Sequence, residues 1–191
     1  MSTLLQTLYG YHAWANVDLF KKLESVDPEK QGAELHTALR LISHNYVVSR
    51  IFAGHLQGVP HGFTSDTLEK TPTLDELRAA VTASDEWYLD YVRTVSPALL
   101  SETVAFTFTD GDKGSMSREE MLTHVALHAG YHRGEIGRIL RQLSITPPWD
   151  TFAVHLHQTQ PTRRLQQASR QLLSAEAWPI PLAKPARLDY R

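Results

Sequence analysis

Apolar residues recur at helical spacing through most of the first 157 positions. Leu5, Leu8, His12, Ala15, Leu19 and Leu23 lie three or four residues apart, one stripe of a helix over residues 2–25. Asp27-Pro28 ends it, because a proline disfavours helical geometry in the residue before it. Leu35, Leu39, Ile42, Val47, Ile51 and Leu56 predict a second helix over 33–57, stopped by Gly58-Val59-Pro60-His61-Gly62. Residues 59–72 show no period and read as a long connection. Thr73 and Glu76 have the spacing of a capping box and open a third helix that reaches about Val95. Leu77, Val81, Tyr91 and either Trp87 or Tyr88 face inward on it, and Pro97 closes it.

The texture then changes. Thr103-Val104-Ala105-Phe106-Thr107-Phe108-Thr109 alternates β-branched and aromatic residues, and Asp110-Gly111-Asp112 follows with a return through Gly114, a small β-hairpin. Ser117 and Glu120 form a second capping box and launch the longest helix, over 118–143. Pro147-Pro148 ends that stretch, and Asp150 caps a short helix over 151–157. The expected fold is therefore all-α: a four-helix bundle with a long helix 2–3 crossover, a minor β-hairpin before helix 4 and a C-terminal extension. The bundle occupies residues 1–157. From Gln158 the charge balance shifts to +4, against −6 for the bundle. Residues 162–175 read as an amphipathic helix through Leu165, Leu172 and Leu173, and Trp178-Pro179-Ile180-Pro181 as extended chain. Residues 158–191 are thus an extension packed on the bundle or on a partner, not a second domain.

Composition narrows the chemistry. With 191 residues, 42% of them hydrophobic, the chain can bury the core of one domain. It has no cysteine, which excludes a disulfide framework, a thiolate metal site and an intrinsic thiol nucleophile. No basic segment precedes an apolar one near the start, and no apolar run is long enough to span a bilayer. A cytoplasmic location without membrane contact is the expectation. A net charge of −2 gives no electrostatic basis for nucleic-acid binding. Histidine is the outlier, with ten residues unevenly placed.

His124, His128 and His132 follow one another at four-residue steps, so each advances about 40° around the fourth helix. They continue the apolar face set by Leu122, Val125, Ile136 and Leu140 and point toward the core. A single histidine on such a face is most often a satisfied core residue. Three in register are costly to bury unless each ring nitrogen finds a partner, and a metal ion satisfies one nitrogen on each. A His-x-x-x-His pair on a helix is half a metal site and needs ligands from a facing element. His44, midway along the second helix, is the best candidate; His55, three turns on, and His12, on the first helix, are the others. No Glu-x-x-His occurs, which removes the di-iron carboxylate arrangement, and no His-Glu-x-x-His, which removes the zinc-protease helix. No glycine-rich phosphate loop is present. His155 and His157 point to nearly opposite sides of their helix and read as surface residues; His36 and His61 have no distinguishing context.

Three segments together resemble the DinB family of metal-binding four-helix bundles. They are Tyr11-His12-Ala13-Trp14-Ala15-Asn16 on the first helix, Leu41-Ile42-Ser43-His44 with Gly58 on the second, and His128-x-x-x-His132-Arg133-Gly134 on the fourth. The resemblance covers residues 1–157 and implies that His44, His128 and His132 are the metal ligands. His124, His12 and Glu135 would surround the ion without binding it. The family often has Gln where this chain has Glu135, a carboxylate that either orients His132 or pairs with Arg138 or a neighbouring helix; we favour the pairing. The resemblance further implies a divalent transition metal, zinc or nickel first, with iron and copper as alternatives. It implies a metal-dependent enzyme that transfers a low-molecular-weight thiol cosubstrate to a small electrophilic substrate, and a homodimer. Hydrolysis at the same metal, or a non-catalytic metal-binding interaction protein, are the competing readings.

Overall fold

A computed structural model describes residues 3–164 of the chain. Its elements are α1 (Thr3–Leu23), α2 (Gly32–Gln57), α3 (Leu74–Thr94), a one-turn α4 (Pro97–Leu100), β1 (Thr103–Thr107), β2 (Lys113–Ser117), α5 (Arg118–Gln142), α6 (Phe152–Thr159) and a 3-10 turn (Pro161–Arg163). The fold is mostly helical with one small hairpin, as the periodicity predicts. Both capping boxes form: Thr73 and Glu76 exchange side-chain and backbone hydrogen bonds, as do Ser117 and Glu120. Gly58 ends α2 at φ 69°, a left-handed conformation that favours glycine, and its N–H closes on Gly54 O and His55 O. The hairpin pairs Thr103 with Ser117 through Thr107 with Lys113.

Two apolar clusters fix how the helices run. The first takes Leu5 and Tyr9 from the start of α1, Val48 to Leu56 from the end of α2, Tyr88 and Val92 from the end of α3, and Met121 to Val125 from the start of α5. The second takes Leu19 and Leu23, Leu39 and Ile42, Leu77 and Val81, and Ile136 and Leu140, the opposite half of each helix. So α1 and α5 run one way while α2 and α3 run the other. Each of α1 and α5 packs against a helix of the opposite direction, α1 on α3 and α2 on α5, with α1·α5 and α2·α3 completing the ring. Because α2 and α3 are parallel, the chain between them must travel back along the bundle. Helix α2 is about 39 Å long at about 1.5 Å per residue, and the 16 residues of 58–73 reach at most about 58 Å. The length of the crossover is thus a consequence of the topology.

Between the apolar clusters lies a polar layer to which every long helix contributes: His12 and Asn16, His44, Asn45 and Ser49, Ser84 and Asp85, and His128, His132 and Arg133. A small cavity of about 30 Å³ sits in it, lined by His12, Asn16, Asn45, Ser84, Asp85 and Arg133 among others.

The structure departs from the sequence reading in several places. Tyr9, not Leu8, takes the core position on α1, since its hydroxyl donates to Leu122 O at 2.9 Å and needs no water. Tyr88 is the inward aromatic of α3; Trp87, half-buried, meets it edge-on and stacks on Tyr91. Helix α4 is too short to carry a period; Ser96 caps it and Pro97 starts it. His155 is buried between Tyr11 and Trp14, because α6 packs on α1, and His157 is half-buried. On the hairpin, Phe106 is buried against Phe52, whereas Phe108 is exposed. The expected helix over 162–175 is a 3-10 turn as far as Arg163; Leu165 onward, with Trp178, lies outside the described residues.

Candidate metal centre

His128 and His132 stand one turn apart on α5 and face His44 across the α2–α5 contact. The Nε2 atoms of His44 and His132 each lie 3.2 Å from Nε2 of His128, and one ligand atom from each residue falls within 4.8 Å of the others. The rings are tilted 59–80° to one another, so the nitrogens converge while the ring faces do not stack.

The opposite ring nitrogens explain why Nε2 points inward. His44 Nδ1 donates to Asp66 O at 2.9 Å, from the crossover, and His132 Nδ1 donates to Glu135 Oε2 at 2.6 Å. An imidazole that carries its proton on Nδ1 presents a lone pair at Nε2. Two such lone pairs therefore meet the Nε2 of His128, and a single proton there can satisfy only one of them. A divalent cation accepts all three. Acceptors on the far nitrogen of metal-binding histidines are the usual companions of such a site, so the donor set fits a transition ion. Burial, with the neighbouring imidazoles of His132 and His44, pushes His128 down to about 4, which keeps it neutral near pH 7.

The partner of Glu135 is a correction: Arg138 and His132 both lie three residues away, and the carboxylate turns to His132, whose Nδ1 it meets at 2.6 Å, and not to Arg138. His124 stacks on His128, centroids 5.4 Å apart and planes at 26°, with Phe52 at 4.8 Å on it. It is a wall of the site. His12 is not brought to the triad; it is buried against Asp85 and Asn16 in the polar layer. His55 turns to His61 and Phe106, with its pKa lowered by burial first and then by His61. Sequence reasoning missed Asp66, since nothing in an aperiodic loop marks which residue will lie over His44. It also passed over Arg133, which a helix position beside a histidine does not distinguish from a solvated arginine.

The model of the DinB family matches residues 1–168. The chain belongs to the DinB family. It is similar to Protein DinB of Bacillus subtilis (strain 168), with 26% identity over 172 residues that cover 83% of this chain and 97% of the relative. No solved structure matches it significantly. Within this DinB-family chain, the one group of three or more histidine, cysteine or carboxylate residues able to share an ion among the described residues is His44, His128 and His132.

Proposed function

We propose that this protein is a metal-dependent enzyme that joins a low-molecular-weight thiol to a small electrophile, with His44, His128 and His132 holding zinc or nickel. The observation that carries the reading is the convergence of three imidazole nitrogens with no fourth side chain grouped with them among the described residues. Structural zinc sites are closed by four protein ligands, whereas catalytic ones use three and leave a position open. A bound divalent ion supplies Lewis acidity, which lowers the pKa of a thiol or water that reaches the open position.

The chain's own residues perform the rest. Asp66 O and Glu135 hold the Nδ1 protons of His44 and His132, which fixes the direction of both Nε2 lone pairs. Three neutral ligands leave the full positive charge of the ion to act on the incoming group. The His124 and Phe52 rings form an apolar wall beside His128. Because the chain has no cysteine, the reacting sulfur has to arrive with a cosubstrate.

Elemental analysis of protein purified without a metal-affinity step tests the site. About one equivalent of transition metal in the wild type, lost in the His128→Ala/His132→Ala double variant, supports it; retention in that variant refutes it. Consumption of free thiol with a panel of small electrophiles then tests turnover, with His44→Ala as the control. A metal-loaded protein that consumes no thiol with any of them would count against transfer and leave a binding protein.

A further inference from the structure

The helix-one residues Tyr11, His12 and Asn16 and the residue after His132 share a role that the metal site does not use. Arg133 is 4% exposed, and each of its five N–H groups meets an acceptor. Nε donates to Asp150 Oδ2 at 2.7 Å, and Nη2 reaches Asp150 Oδ1 at 3.4 Å and Tyr11 Oη at 3.5 Å. Nη1 reaches Asn16 Oδ1 at 3.3 Å and His12 Nδ1 at 3.5 Å. Since His12 accepts at Nδ1, its proton is on Nε2 and goes to Asp85 Oδ1 at 3.1 Å. Asp85 in turn accepts from Asn16 Nδ2 at 2.9 Å. One guanidinium thus joins α5 to α1, to the segment before α6 and, through His12 and Asn16, to α3.

We propose that Arg133 is the positioning residue of the histidine site, its socket fixing the rotation of α5 so that His128 and His132 face His44. This rests on the metal-binding reading above. Arg133 lies about 100° around the helix from His132, so the anchor and the ligands use different sides of α5. The helix needs an anchor there. Gly130, Gly134 and Gly137 make this stretch the weakest helix former in α5, and a Cβ at Gly134 would meet nothing within 4 Å, so that glycine is not there to make room for a neighbour. A rotation of about 20° would swing atoms at the outer radius of the helix, about 6 Å, by about 2 Å. Metal–ligand distances tolerate about 0.2 Å.

The test uses the full chain with three variants. Arg133→Lys keeps the charge but loses the fork, and Asp150→Asn keeps the arginine but removes the ionic partner. Tyr88→Phe loses a buried hydrogen bond to Ser49 O but none of the hydrogen bonds of the socket, and serves as the stability control. Cobalt titration followed by visible absorbance, with zinc competition, reads both affinity and coordination geometry. We expect affinity to fall about 10- to 100-fold in the two socket variants, the range for residues that orient metal ligands, with an altered cobalt spectrum, and Tyr88→Phe to match the wild type. If Arg133→Lys does not fold, Asp150→Asn alone decides. Socket variants that bind cobalt with wild-type affinity and spectrum, even with lowered urea midpoints, would reduce the socket to a stability element and overturn the proposal. A wild type that binds neither cobalt nor zinc would overturn the metal reading itself and this inference with it.

Discussion

Single residues divide between those that offer a lone pair and those that aim it. On the metal-binding reading, removing His128 or His132 deletes a ligand that no other histidine replaces, because His124 stacks on His128 in place of converging with it. Zinc affinity by competition should collapse in both alanine variants and drop severely in His44→Ala. His157→Ala should leave it unchanged, since His157 lies on α6 outside the triad and its Nδ1 bonds Ala153 O within that helix. Glu135 separates charge from orientation. Glu135→Gln still offers His132 Nδ1 an oxygen at the same place, so affinity should weaken only a few-fold, while Glu135→Ala removes the acceptor and should cost about 10- to 100-fold. Equal losses in the two variants would mean that the negative charge, not the hydrogen bond, is what matters.

Elements show which parts of the fold were readable in advance. Helix ends were, because a capping box is a local signal: Thr73 with Glu76 and Ser117 with Glu120 need no tertiary information. The His128/His132 pair was readable for the same reason, being one turn of one helix. The burial of His155 was not, since it depends on α6 lying against Tyr11 and Trp14, far away in sequence. Nor was the Arg133 socket, whose partners on α1 are more than a hundred residues distant. Two outcomes belong at this scale. Gly134 is exposed in mid-helix with open space where a Cβ would go, so Gly134→Ala should raise unfolding stability by about 0.5–1 kcal/mol in urea titrations. Burial lowers the pKa of His155 in the folded state, so the unfolded chain binds the proton more readily. The stability tied to His155 is therefore full above its unfolded pKa of about 6.5 and is lost as pH falls below it. His155→Phe should flatten the fall in urea midpoint between pH 7 and pH 5; an unchanged slope would exclude His155 as its source.

At the scale of the whole molecule, the triad ties three separate pieces together: α2, α5 and, through Asp66 on His44, the crossover. An ion that binds only the folded chain should stabilise it by about 2.7 kcal/mol at a hundredfold excess over its dissociation constant. Thermal unfolding with and without zinc measures that shift. Amide exchange in residues 58–73 should also slow on zinc loading, and exchange confined to its metal-free rate would place the crossover outside the site's influence. The crossover then does two jobs at once. Parallel α2 and α3 oblige it to pass the middle of the bundle, so the segment with the least regular structure runs across the histidine that faces α5. Most of its residues from 59 to 70 are exposed and none belongs to either apolar cluster. Divergence can therefore rewrite what borders the histidine cluster, by substitution or insertion in this loop, while the helices that carry the three histidines keep their packing. New chemistry in such a scaffold is reached by editing a connection, without refolding a core.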